Sequence, residues 1–215
     1  MREDCGQMSR LDRLNERYHE HHGRRQEFVF GADDRAGLIA ELVGGPGLRV
    51  LDLGCRTGAL TQHYAEGNVL VGVDVDQGAL EQASARLGID TVWADVEDEL
   101  PFPDESFDVV VAGELLEHLA DPAVAVAHVR RVLKPGGRFV GSVPNAFRLK
   151  SRIRFAAGRH PETDATHLQL FTPAALASLL GDFADVEIRF AVGRYVRWNA
   201  RLMARVQVFS ARKPG

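Results

Sequence analysis

Two aspartates sit where apolar runs give out. In Val50-Leu51-Asp52-Leu53-Gly54-Cys55-Arg56-Thr57-Gly58 the run closes on Asp52 and a glycine turn, and in Gly72-Val73-Asp74-Val75-Asp76 a second run closes on Asp74. This pattern encodes a buried strand, a tight loop, a helix and a second parallel strand. Both carboxylates then lie at the carboxyl ends of strands, where open α/β sheets bind ligands. An acid at the end of the second strand can accept hydrogen bonds from both hydroxyls of a ribose, so the ligand is expected to contain a nucleoside. A further constellation, Glu114-Leu115-Leu116-Glu117-His118, puts Glu114 and His118 one turn apart on a helix with Glu117 on nearly the same face. Two carboxylates and an imidazole so placed can hold a divalent cation.

The glycine loop narrows the choice of nucleoside. A dinucleotide fingerprint starting at Gly54 requires glycine at 56 and 59, where this chain has Arg56 and Ala59. No Gly-Lys-Ser/Thr follows, which excludes a P-loop. Gly54 and Gly58 allow close backbone approach without a phosphate cradle, which suits a ligand that has no pyrophosphate.

From about Val50 to Asn145 the chain resembles the class I S-adenosylmethionine-dependent methyltransferases, with similarity to the ubiquinone-biosynthesis O-methyltransferases. Several motifs in order carry the resemblance: Asp52 to Gly58; Asp74; the strand Thr91-Val92-Trp93-Ala94 ending at Asp95-Val96; the loop and strand Leu100-Pro101-Phe102-Pro103-Asp104-Glu105-Ser106-Phe107-Asp108-Val109-Val110-Val111; and the turn Leu133-Lys134-Pro135-Gly136-Gly137-Arg138-Phe139. It implies an α/β, Rossmann-like, doubly wound and mostly parallel seven-stranded sheet, with helices on both faces and an antiparallel last strand. It also implies S-adenosyl-L-methionine as cofactor. Asp52, Gly54, Cys55 and Gly58 would form the loop at its methionine end, Asp74 and Val75 would meet the ribose, Asp95 and Val96 the adenine edge, and Gly113 would complete the site. One departure is Arg56, where the family commonly has glycine. Its side chain can crowd the cofactor, point outward to the acceptor, or lie in solvent.

Glu-x-x-Glu-His resembles the metal site of two groups, the ubiquinone-biosynthesis O-methyltransferases and the small-RNA terminal 2′-O-methyltransferases, which add a ligand from a later segment. Here Asp164-Ala165-Thr166-His167 is the matching region. The implied set is Glu114, Glu117, His118 and His167 around Mg2+, acting as a Lewis acid on acceptor oxygens. Metal-free members also carry Glu-His-Leu at this place, where the histidine packs over the cofactor or works as a base, and Glu114 then only lines the pocket. The catalytic positions are expected at His118 and Glu117. His19, His21 and His22 are expected at a solvated helix end or lid, and His63 and His128 on helix surfaces.

The elements that must position these groups follow from periodicity and stop signals. Helices are expected near 9–25, 33–43, 57–65, 77–87 and 121–132, and after Thr172-Pro173. Strands are expected at 49–53, 69–73, 91–94, 107–112, 137–143, 184–192 and 204–211, the last two forming an antiparallel hairpin by resemblance. All 215 residues are expected to form one methyltransferase domain, with 1–47 as a helical cap and 145–171 as an acceptor lid. Within that insertion, residues 147–159 alternate basic and apolar side chains. They can attract a phosphate or carboxylate on the acceptor, rest on an anionic membrane, or expose a solvated basic face.

A net charge of −4 gives no argument for a nucleic-acid partner. Cys5 and Cys55 make no disulfide framework, and Met1-Arg2-Glu3-Asp4 opens no apolar signal region, so the expected compartment is the cytoplasm. The expected function is methyl transfer to a hydroxyl oxygen of a small molecule. An RNA 2′-O-methyltransferase and a non-catalytic S-adenosylmethionine-binding protein are the alternatives.

Overall fold

The computed structural model describes residues 8–23, 32–161, 164, 166–193 and 195–215, with backbone alone at 21–23, 32 and 33. Cys5 and the side chains of His21 and His22 lie outside the described residues. Helices α1 (Arg10–Gly23) and α2 (Ala32–Val43) precede strand β1 (Arg49–Leu53). There follow β2 (Val69–Asp74), α3 (Gln77–Leu87), β3 (Asp90–Trp93), β4 (Phe107–Gly113), α4 (Pro122–Val132) and β5 (Leu133–Pro144). The chain continues through α5 (Leu149–Ala156), α6 (Pro173–Leu179), β6 (Ala184–Ala191), α7 (Ala200–Met203) and β7 (Val206–Arg212). The strands form one seven-stranded sheet in the order β3-β2-β1-β4-β5-β7-β6. β7 runs antiparallel to both its neighbours, and the other pairings are parallel.

The central strands are apolar throughout because both faces of the sheet are covered. Side chains alternate between two cores: Leu51, Leu53, Val110, Ala112 and Phe139 on one face, Val50, Val109, Val111 and Val140 on the other. Strand order reverses between β1 and β4, which opens a crevice at their carboxyl ends. The helices that flank it carry their own start signals. The Asp76 carboxylate accepts from the Ala79 amide to begin α3, Asp121 does the same for α4 from Ala123, and Thr172 caps α6. Gly88, at φ 65°, ends α3 in the left-handed conformation that glycine adopts without strain.

Two expected elements differ. In place of a helix over 57–65 there are turns and a 3-10 segment, Thr61–His63. At three residues per turn, Thr61 and Tyr64 fall on one side, and both hydroxyls reach the Asp52 carboxylate. A buried acid thus outcompetes helical periodicity. The fifth strand begins at Leu133 and not at 137, because Leu133 already pairs with Phe107 before a register shift carries the ladder to Arg138.

Candidate active site

Asp52, at the end of β1, is 2% exposed. Its Oδ2 accepts from Thr61 Oγ1 at 2.6 Å and from Tyr64 OH at 2.7 Å. Burial raises its pKa to about 6 in spite of these two donors, with a smaller push from Asp74. The loop that follows is tied to β2, since the amides of Gly54 and Cys55 both donate to the Val73 carbonyl. Gly54 sits at φ 71°, and a Cβ there would press on Leu115 Cδ1 at 3.1 Å. Gly58 sits at φ 73°, where a Cβ would come within 2.6 Å of Leu87. Cys55 turns inward: its Sγ fills the space above Gly72, and burial pushes the thiol pKa up. It is a packing residue of the loop.

Arg56 occupies φ 48°, a left-handed conformation that favours glycine. This accounts for the glycine common in the family at this position. Its amide donates to Asp74 Oδ2 at 2.9 Å. Burial lowers the guanidinium pKa while Asp74 and Asp76 raise it, and its Nε is buried without an acceptor. The side chain therefore belongs to the ribose-side carboxylates and not to bulk solvent.

Asp74 ends β2 and is 6% exposed. Its two oxygens accept from the Arg56 and Asp76 amides, at 2.9 Å each, and burial raises its pKa. Each oxygen retains a second lone pair for a ribose hydroxyl. Asp95, beyond β3, accepts from the Glu97 amide and pairs with Arg10 of α1 at 3.0 Å. Burial raises its pKa, the Glu97 amide and Arg10 opposing. Val75 accepts the Trp93 indole N–H on its carbonyl, Val96 packs into the core, and Gly113 closes β4 against Leu60. Helix α1 lies across this crevice. Arg10 also meets Glu97, Asn15 accepts from the Gln77 amide at 3.0 Å, and His19 Nδ1 lies 3.2 Å from Asp76 Oδ1.

Sequence reasoning missed Arg35. This α2 residue is 5% exposed, with its Nη1 3.5 Å from Glu114 Oε1 and its Nε buried without an acceptor. Glu114 is not on a helix with His118. It sits at φ 57°, donates its amide to the Ser142 carbonyl, and is followed by a 3-10 segment, Leu116–His118. Glu114 is thereby brought beside Arg35 of α2, and the cluster of candidate metal ligands described below does not include it. A buried guanidinium beside a carboxylate is the chemical complement of an amino acid's carboxylate and ammonium groups.

The remaining candidates do converge. One ligand atom each from Glu117, His118 and His167 lies within 4.8 Å of the others. Glu117 is 1% exposed, and its carbonyl accepts from the amides of Leu168 at 2.8 Å and Gln169 at 3.0 Å, which ties that segment to the 3-10 turn. The imidazoles of His118 and His167 meet edge to face, with centroids 4.8 Å apart. His118 Nδ1 lies 3.2 Å from the Thr166 carbonyl oxygen. A carbonyl only accepts, so the ring meets it with Nδ1 as the donor. Tyr18 of α1 lies edge-on to His118, with centroids 6.0 Å apart, and burial raises its pKa.

Comparison with known proteins agrees with this geometry. Residues 51–141 match the family model described as a methyltransferase domain. A probable S-adenosylmethionine-dependent methyltransferase of Mycolicibacterium smegmatis is 34% identical over 148 residues, covering 68% of this chain and 55% of that protein. A ubiquinone biosynthesis O-methyltransferase of Hahella chejuensis is 36% identical over 133 residues, covering 59% of this chain and 52% of that protein. The chain thus spans about half the length of these curated relatives. Among solved structures, an S-adenosylmethionine-dependent methyltransferase of Thermotoga maritima shares the fold with a TM-score of 0.68 at 17% identity, over 94% of this chain and 97% of that one. Matched segment, strand order and the acids ending β1 and β2 together make this chain a member of the class I S-adenosylmethionine-dependent methyltransferases.

Proposed function

We propose that the chain transfers a methyl group from S-adenosylmethionine to a hydroxyl oxygen of a small molecule. The residues suit that cofactor from end to end. Asp74 offers lone pairs to a ribose diol, Asp95 an acceptor for the adenine amino group, and Arg35 with Glu114 an ion pair for the amino-acid end. When bound, the cofactor supplies an electrophilic methyl group on a sulfonium. The protein's share is to align the acceptor, exclude water and take up a proton. The observation that carries the hydroxyl reading is the gathering of the His118 and His167 imidazoles and the buried Glu117 carboxylate, groups of the kind that take up a hydroxyl's proton. Tyr18 and His167 both lie edge-on to the His118 ring. The similarity to a ubiquinone biosynthesis O-methyltransferase supports a hydroxylated, quinone-like acceptor.

A second reading is favoured by the Glu117, His118 and His167 cluster. One carboxylate oxygen and two imidazole nitrogens fit a divalent cation such as Mg2+ or Mn2+, which would supply Lewis acidity for a diol or catechol. Calorimetric titration of S-adenosylmethionine and S-adenosylhomocysteine into chelated protein, with and without Mg2+ or Mn2+, separates the readings. Micromolar nucleoside binding is expected. A metal heat abolished by Glu117→Gln selects the cation reading, no metal heat selects His118 as a base, and no nucleoside binding refutes the proposed activity.

A further inference from the structure

Nothing about the backbone at position 56 favours arginine. At φ 48° any side chain is strained where glycine would not be. The Arg56 Nε is buried without an acceptor, so no hydrogen bond at that atom offsets the burial of a charged group. Burial lowers its pKa accordingly, and Asp74 and Asp76 act on it in the opposite sense.

Those two aspartates give the cation its place. Asp74 and Asp76 are separated by Val75 alone, both are buried, and Asp74 Oδ1 accepts from the Asp76 amide. Like charges so close oppose each other's ionisation. Asp52 on β1, the Cys55 thiol and Tyr18 of α1 also bear on Asp74, and none of them is a cation. His19 lies 3.2 Å from Asp76 Oδ1, with its side chain 62% exposed and screened by water.

Arg56 reaches Asp74 in two ways. Its amide donates to Oδ2 at 2.9 Å, while its guanidinium acts through space and makes no side-chain hydrogen bond to the acid. A forked arginine–carboxylate pair would fill the lone pairs that a ribose diol needs. A guanidinium set back from the carboxylate favours its ionised form and leaves those lone pairs open.

We propose that Arg56 is a positioning residue for the donor, whose charge keeps Asp74 ionised so that the carboxylate meets the ribose hydroxyls as a full acceptor. This role rests on the assignment of Asp74 to the ribose. Ionised Asp74 accepts two charge-assisted bonds, and protonation weakens them. Nucleoside affinity therefore falls as pH drops through the Asp74 pKa. Burial raises that pKa, and removing the Arg56 charge raises it further, so the fall begins at higher pH.

The test is calorimetric titration of S-adenosylhomocysteine and 5′-methylthioadenosine into wild type, Arg56→Met and Arg56→Lys from about pH 5 to about pH 8. Arg56→Met keeps the bulk and loses the charge. It should weaken both ligands about three- to tenfold at the acid end and match wild type at the alkaline end, the midpoint having moved up by as much as about one unit. Arg56→Lys should restore the wild-type profile. Asp52, with its pKa of about 6, is common to all three proteins, so the ratio of affinities isolates Arg56. In Asp74→Asn, which cannot ionise, adding Arg56→Met should change nothing. Arg56→Gly, free of strain at positive φ, gives the same comparison where Arg56→Met fails to fold. Equal affinity at every pH, a loss that pH does not alter, or tighter binding by Arg56→Met overturns the proposal. So does an effect confined to S-adenosylhomocysteine, which would make Arg56 a ligand of the amino-acid carboxylate. Failure of wild type to bind either nucleoside refutes the ribose assignment itself, and this role with it.

Discussion

Asp52→Asn isolates the energetic cost of the acid that organises the glycine loop. Asparagine keeps the shape and an oxygen for Thr61 and Tyr64, but it cannot ionise. Burial moves Asp52 from an ordinary 3.8 to about 6. The folded value lies above the unfolded one, so the folded state holds this proton more tightly. The contribution of Asp52 is therefore fully present below pH 3.8 and is lost as pH rises through about 6. A rise of that size corresponds to about 3 kcal/mol. Urea unfolding of wild type and variant across this range should give parallel stabilities in acid and a gap opening to about 3 kcal/mol in the variant's favour near neutrality. A gap independent of pH would refute the account of Asp52 as a buried, reluctantly ionised acid.

The other predictions concern the proposed site. Asp74→Ala should weaken S-adenosylmethionine about 100-fold by calorimetry, with the unfolding transition retained, since two charge-assisted bonds are lost. Arg35→Met should weaken S-adenosylmethionine at least about tenfold but leave 5′-methylthioadenosine, which has no amino-acid end, unchanged; equal loss for both ligands would remove Arg35 from that role. His118→Ala should slow methylation of a catechol or hydroxyquinone probe by about a hundredfold or more, with S-adenosylhomocysteine affinity within about twofold.

What the sequence made legible was local. Strand 49–53 and helix 77–87 have the expected bounds because their signals adjoin them: an apolar run ending in glycine, an Asp76 cap and a Gly88 stop. Asp74 and Asp95 could be located because acids ending buried strands have few other reasons to be there. What stayed hidden depends on distant partners. Arg35 meets Glu114 only after β4 is threaded beside β1, and no spacing rule connects them. The helix expected over 57–65 gives way because Thr61 and Tyr64 answer to Asp52, not to each other. The alternation in 147–159 fits several structures, and only the burial of Ser151 reveals which face of α5 looks outward.

Helix α1 touches Asp95 and Asp76 through Arg10 and His19, and His118 through Tyr18. The acid proposed for the adenine edge, Asp95, and the imidazole proposed for the acceptor thus share one piece of chain as a wall. In the proposed reaction a change in how α1 packs would therefore be felt by donor and acceptor together, although their places lie on different strand ends.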